Sequence, residues 1–319
     1  MIAAPRSESA SESIAAHVTQ APVSVSSEIK RPLLIPVIFP AKAVLRSLRD
    51  ICRRRMAGQV FGTPVIVHWG MHKAMTGYYS EVMLQLRKKT GLHLSAFYDN
   101  TAGLGTEIRR ISALPSSIVL LSDLLDIRVP SGMPYLASRT LRDPRDLVVS
   151  GYFYHKKSPE PWLLRQDFDW EELMKDPAFE RWFDRRKCQW TGLSFATVLQ
   201  SLNRVDGLAL EIVRLAPVLR RMERMDVNDE RVLQINFEEI LNHEVTAFRR
   251  LFAHYQLKAK YLPFALETVE RLSVKARGEN HAHIRAAECG EWHSALDDSH
   301  KELVNTEFRA ALLKGGYIP

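Results

Sequence analysis

Apolar residues along the chain fall into two spacings. Pro64-Val-Ile-Val-His-Trp69 is a short β-branched run of the kind that forms a buried strand. Residues 93–98, 117–121 and 135–141 repeat that signature, and residues 232–237 supply a late strand. Between these runs the spacing lengthens to that of helices. Residues 78–89 offer Val82, Leu84 and Leu86 as apolar surface, and residues 146–155 read as another helix. Gly70 to Gly77 reads as the loop between the first strand and the first helix. After Trp162 the pattern is mainly helical. Strands alternating with helices predict an α/β fold on a central, mostly parallel sheet flanked by helices.

The N-terminal pattern differs. Residues 1–30 are rich in Ser and Ala and poor in aromatics, and are expected to form a disordered tail. Residues 31–60 form a basic segment. Within it, 41–56 place Val44, Leu45, Leu48, Ile51 and Cys52 at helical spacing with arginines between them. Residues 61–319 are then the folded domain. The basic helix has two readings: a helix packed on the domain with a solvated face, or a peripheral contact with an anionic membrane surface or acidic partner.

Charge follows the same division. The chain has 319 residues and a formal net charge of +7. Residues 31–56 carry seven basic side chains against Asp50 alone, so the excess belongs to one segment. It does not mark a nucleic-acid-binding body, and no nucleic-acid partner is expected. Hydrophobic residues at 46% and charged residues at 25% exclude a wholly disordered chain. Cys52, Cys188 and Cys289 form no metal-ligand spacing, so no metal is expected and a reducing compartment is the default. No apolar run reaches the ~18 residues of a membrane span, and the first thirty residues lack the apolar core of a leader. A cytoplasmic protein is expected, with membrane contact at most peripheral.

Two stretches carry candidate chemistry. In Val65-Ile-Val-His-Trp-Gly-Met-His-Lys-Ala-Met-Thr-Gly-Tyr-Tyr79 a strand runs through a lysine-bearing loop into a helix. The helix start offers free N–H groups and the positive end of its dipole, and Lys73 and Thr76 would complete an anion cradle. The Walker A pattern GxxxxGK[ST] is absent. In Arg142-Asp-Pro-Arg-Asp-Leu-Val-Val-Ser150 a strand ends, Pro144 interrupts it, and a helix is expected from Asp146. Arg142 and Ser150 would then point a guanidinium and a hydroxyl at one phosphate.

Together these residues resemble the sulfotransferases that use 3′-phosphoadenosine 5′-phosphosulfate (PAPS), which share a P-loop NTPase-like fold. The family's PKxGTT-like loop appears as His72-Lys-Ala-Met-Thr-Gly-Tyr78, and its R-[DN]-P-x-D-x-x-x-S segment as 142–150. Its strand followed by a "YED" segment is similar to Leu233-Gln-Ile-Asn-Phe-Glu-Glu239. Its arginine followed by G-[DE]-W appears as Arg285-Ala-Ala-Glu-Cys-Gly-Glu-Trp292, and its terminal glycine-tyrosine pair as Gly316-Tyr317. The matches keep the family's order across about residues 62–317. The chain departs from the pattern at Met75, Gly77, Ala286 and Ala287, which replace the loop glycine, the second loop threonine and the lysine-glycine that closes over the 3′-phosphate.

The resemblance implies a transfer of the sulfuryl group from PAPS to an acceptor hydroxyl or amine, with release of 3′-phosphoadenosine 5′-phosphate (PAP). It implies that Lys73, Ala74, Met75, Thr76 and Gly77 hold the 5′-phosphosulfate, with Lys73 also catalytic. It implies Tyr78 and Phe237 at the adenine, and Arg142, Ser150, Arg285, Ala286 and Ala287 at the 3′-phosphate. It implies no metal.

The acceptor needs a general base. Asp123 and Asp99 follow strands about where relatives carry a histidine or a glutamate, and His72, His155 and His68 are further candidates. Residues 156–190 hold Trp162, Trp170, Trp182 and Trp190, read as helical core or as a platform for an acceptor. A carbohydrate, glycolipid or other small metabolite is the acceptor class expected. The alternatives are a non-catalytic nucleotide-binding or membrane-associated relative and a P-loop-like kinase.

Overall fold

The computed structural model describes residues 59–98, 104–111, 114–130, 132–277 and 288–318. The tail 1–30, the basic helix 41–56, Asp99, Arg285, Ala286 and Ala287 lie outside the described residues.

β-Branched and aromatic residues form five strands: β1 (Val65–Gly70), β2 (His93–Tyr98), β3 (Ser117–Ser122), β4 (Tyr135–Leu141) and β5 (Val232–Asn236). They lie in the order β2-β3-β1-β4-β5, and every neighbouring pair is parallel. All six residues of β1 and of β3 are buried, which their continuous apolar character requires of inner strands. Edge strands β2 and β5 mix polar and apolar residues and are mostly half-buried.

Helices cover both faces. Alternate residues of β1 point to opposite sides. Ile66 joins one apolar core with α1 (Thr76–Thr90), α4 (Glu244–His254) and α5 (Leu262–Leu272). Val65, Val67 and Trp69 join the other, with α2 (Pro144–His155) and α3 (Arg204–Arg224). Each fully buried Leu, Ile or Phe in these cores contributes roughly 1.5–3 kcal/mol.

The order of the strands places a crevice at one edge of the sheet. From β1 the chain leaves through α1 towards β2, on one side of the sheet. From β4 it leaves through α2 and α3 towards β5, on the other. Between the carboxyl ends of β1 and β4 the winding reverses, and parallel sheets bind their ligands in such a crevice.

Element boundaries differ from expectation where local caps act. Helix α1 begins at Thr76 rather than Tyr78 and ends at Gly91, whose φ of 75° suits a glycine stop. Helix α2 begins at Pro144, two residues before the expected Asp146. Pro144 ends the strand and also opens the helix, because a first-turn proline loses no intrahelical bond. Asp143 caps it by accepting from Arg145 N at 2.9 Å. Strand β5 stops at Asn236, one residue short, and a capping box between Asn236 and Glu239 turns Phe237 into a helical turn.

The tryptophans of 156–190 pack inward. Trp170 is buried, donates to Leu193 O at 2.8 Å, and meets Trp190 with ring centres 5.0 Å apart. Trp182 donates to Asp206 at 3.0 Å and stacks on His300. Among the described residues no helix is long and apolar enough to cross a membrane.

Candidate functional site

The loop from β1 to α1 turns sharply. Lys73 and Met75 each have φ of 63°, and Asp123, just after β3, has φ of 58°. A left-handed conformation costs a non-glycine residue of order 1–3 kcal/mol, and such strain gathers at binding sites. Met75 occupies the residue that precedes α1, where the resembled loop has a glycine; its positive φ is the physical reason a glycine suits that place. Thr76 Oγ1 donates to Met71 O at 2.7 Å and closes the loop on itself. Gly70 makes room for this closure: a Cβ there would lie 2.6 Å from Thr76 Oγ1. The first turn of α1 has no acidic residue and no side-chain cap, and helix starts of this kind suit an anion.

Asp123 braces this loop from the neighbouring strand. Its Oδ1 accepts from His72 N at 2.7 Å, its N–H donates to Gly70 O at 2.8 Å, and its carbonyl accepts from Arg221 Nη1 at 2.5 Å. Gly77 is exposed on the helix start, and Ala74 is buried. Tyr78 donates from its hydroxyl to Val269 O at 2.7 Å and sets its ring edge-on to Phe248.

Arg142, at the carboxyl end of β4, reaches across to this loop. It is buried, donates from Nη1 to Lys73 O at 3.1 Å and from Nη2 to Glu288 O at 3.3 Å. Its guanidinium lies 4.1 Å from the centre of the Phe237 ring. Ser150 is half-buried in the second turn of α2. A small, mostly apolar cavity of about 10 Å³ lies beside Met75, Thr140, Ile235 and Phe248.

The other segments of the resemblance meet around the start of α2. Glu238 accepts from Asp143 N at 3.0 Å, and Tyr317 OH donates to Glu238 at 3.4 Å. Burial raises the Glu238 carboxyl above its usual range. Asp146 accepts from Gly290 N at 2.6 Å and Trp292 N at 3.0 Å, and the Trp292 ring lies under Arg145 at 3.8 Å. Arg145 also donates to Tyr317 O at 3.2 Å. Asp146 is thus the residue that docks the Gly-Glu-Trp segment. Its place in the motif was legible, but its partner was not.

A second polar group sits behind Lys73. Lys73 Nζ lies 3.5 Å from the centre of the Tyr154 ring, and Tyr154 OH donates to Glu160 at 2.7 Å. The His72 and His155 rings stack at 5.7 Å and 12°. His155 is fully buried and bonds through Nδ1 to Glu211 at 3.1 Å, and Arg214 Nε donates to the same carboxylate at 2.7 Å. Burial alone would raise the Glu211 carboxyl, but Arg214 and His155 overcome it and hold it down to about 2. Burial, then Arg214, His155 and Lys73, lower His72 to about 3, against the opposing pull of Glu160. Sequence reading did not find Glu211 or Arg214. They lie on α3, distant in the chain, and no motif contains them.

Asp99, Arg285, Ala286 and Ala287 fall outside the described residues; of the other expected residues, Lys73, Asp123, Arg142 and Phe237 are linked through the loop after β1, and Ser150 lies on α2. His68 belongs elsewhere, on the α1 face of β1. Among the described residues no cluster of His, Cys, Asp or Glu is arranged to hold a metal ion.

No protein-family model matches the chain, and no curated protein matches it in sequence. Solved structures do align with it. A mouse sulfotransferase, SULT7A1, complexed with PAP is 13% identical, over 83% of this chain and 96% of its own, with a TM-score of 0.48. Retinol dehydratase in complex with androsterone and inactive cofactor PAP is 14% identical over 82% and 85%, with a TM-score of 0.37. Retinol dehydratase with retinol and PAP is 14% identical over 84% and 86%, again at 0.37.

Proposed function

We propose that the chain is a PAPS-dependent sulfotransferase that moves a sulfuryl group to an acceptor hydroxyl or amine. The observation that carries this reading is the bond from the Arg142 guanidinium to the Lys73 backbone carbonyl, which brings the lysine-bearing loop after β1 to the turn after β4. A buried guanidinium, a lysine-bearing loop and a helix start lie where a parallel sheet binds its ligands, as a nucleotide with two anionic groups needs.

The residues divide the work by position. Thr76 and the first-turn N–H groups of α1 face the 5′-phosphosulfate. Lys73, in the same loop, supplies the cation that stabilises the charge growing on the bridging oxygen as the sulfur–oxygen bond breaks. Such a contact strengthens in the transition state and raises turnover more than binding. Arg142 and Ser150 take the 3′-phosphate, together with Arg285. Tyr78 and Phe237 supply the aromatic faces for the base of the nucleotide. The acceptor class is a carbohydrate, glycolipid or other small metabolite.

PAP formation from PAPS, followed with a panel of sugar, glycolipid, phenol and amine acceptors, tests the reading. The wild type is expected to form PAP with at least one class, and Lys73→Ala to lose turnover at least tenfold while PAP affinity changes far less. Nucleotide binding without PAP formation from any class would make the chain a non-catalytic binder. An undiminished rate in Lys73→Ala would remove that residue from the mechanism.

A further inference from the structure

Lys73 is flanked in the chain by a histidine whose ring lies in a built environment. His72 is held from below by its backbone, through Asp123 Oδ1 at 2.7 Å. Its ring stacks on His155 and lies 6.2 Å from the Tyr154 ring, the ring that also receives the Lys73 ammonium. His72 Nε2 is enclosed and has no hydrogen-bond partner among the described residues, and neither has His155 Nε2. Buried polar atoms are normally paired, so an unpartnered nitrogen on each of two facing imidazole rings requires an explanation.

The second ring is fixed. A carboxylate only accepts, so the contact with Glu211 places the proton of a neutral His155 on Nδ1 and leaves Nε2 with its lone pair. Arg214 holds Glu211 on its other oxygen, and Gly151 lets the carboxylate approach: a Cβ there would lie 2.2 Å from Glu211 Oε1. The edge of Trp162 closes over His155 at 5.1 Å. The charged and titratable groups facing the pair are therefore Lys73, Tyr154, Glu160, Glu211 and Arg214, with Asp123 beneath the loop.

We infer that His72 is the proton acceptor for the acceptor group, and that His155 and Glu211 are positioning residues that hold its ring beside Lys73. This rests on the PAPS-dependent reading above. In the step, the acceptor oxygen bonds to sulfur and the sulfur–oxygen bond to the 5′-phosphate breaks, leaving its electron pair on PAP. The acceptor's proton passes to His72 Nε2. Asp123 then serves the loop rather than the proton.

The electrostatics fit this order of events. Without ligand, burial and the nearby cations Arg214 and Lys73 hold His72 neutral, the form that can take a proton. Phosphate charge placed on Lys73 acts in the opposite sense and raises the proton affinity of the adjacent imidazole. The base is thus strengthened by the arrival of the donor.

The test is ¹⁵N NMR of the histidine imidazoles in the full chain, with and without saturating PAP, alongside thermal stabilisation by PAP. The expected result is a His155 protonated on Nδ1 in both states and a His72 titration that moves to higher pH when PAP binds. Glu211→Gln is expected to abolish the single His155 tautomer while PAP still stabilises the fold. His72→Gln is expected to lower PAP formation from PAPS at least tenfold, in line with the usual worth of a general base, with PAP affinity unchanged. PAP stabilisation with an unmoved His72 titration, or a His72→Gln rate within twofold of wild type, would overturn the assignment and leave the donor reading standing. No stabilisation by PAP would overturn both.

Discussion

The guanidinium of Arg142 donates to the backbone carbonyl of Lys73 at 3.1 Å. These residues follow strands that are neighbours in the sheet but far apart in the chain, and each belongs to a different motif of the sequence. The bond joins the loop after β1 to the turn after β4. A charged donor in a buried place also carries a cost if its partners are removed.

Replacing Arg142 with alanine is therefore expected to weaken PAP by about 1.5–3 kcal/mol, roughly ten- to 150-fold, the worth of a hydrogen bond to a charged group. AMP, which lacks the 3′-phosphate, should lose far less. Calorimetric titration of both nucleotides checks this. Equal losses for PAP and AMP would show that Arg142 supports the loop and does not read the 3′-phosphate.

Gly151 tests the support behind the site. An added methyl at this helical position meets Glu211 Oε1 at 2.2 Å, and Glu211 is fully buried. Helix propensity favours alanine over glycine by up to about 1 kcal/mol, whereas overpacking a core costs about 1–3 kcal/mol. Gly151→Ala is expected to destabilise the fold on balance, measured as a lowered midpoint in denaturant. A stabilised Gly151→Ala protein would mean that Glu211 can move without loss.

His68 sets an acid limit on stability. Its ring is buried between β1 and β4, bonds to Ser138 Oγ at 2.6 Å, and stacks on Tyr79 at 3.6 Å. Burial lowers it from 6.5 to about 3. Between those values the unfolded chain binds a proton that the folded chain does not, so stability falls as pH falls from 6.5 towards 3. The slope is about 1.4 kcal/mol per pH unit for one proton. His72 and His155, also lowered, add to it. Chemical unfolding at pH 6.5 and 5 should show a shallower loss in His68→Gln than in wild type. Equal slopes would contradict a neutral buried His68.

Much of this arrangement was legible in the sequence. Continuous apolar runs at 64–69 and 117–121 marked inner strands, because parallel inner strands are buried on both faces. Lys73, Arg142 and Phe237 were legible because each follows a strand in a short motif, and strand ends share one edge of the sheet. Boundaries were less legible where one residue has two roles. Pro144 both ends β4 and opens α2, and the cap from Asp143 decides between these. The support of the site was hidden for a different reason. Glu211 and Arg214 are ordinary charges on a long amphipathic helix, and only packing brings them under His155. The exposed side of that helix and its buried carboxylate look alike in the chain.

The most direct measurement is a thermal-shift titration of the full chain with PAP, with ADP and AMP as controls. A ligand bound only by the folded state stabilises it with the logarithm of its concentration relative to Kd, by about 2.7 kcal/mol at a hundred times Kd. The account predicts a rise in midpoint with PAP well beyond that with either control, and loss of this preference in Arg142→Ala. Equal shifts with PAP, ADP and AMP, or none with any, would contradict a 3′-phosphate site at Arg142 and with it the proposed donor.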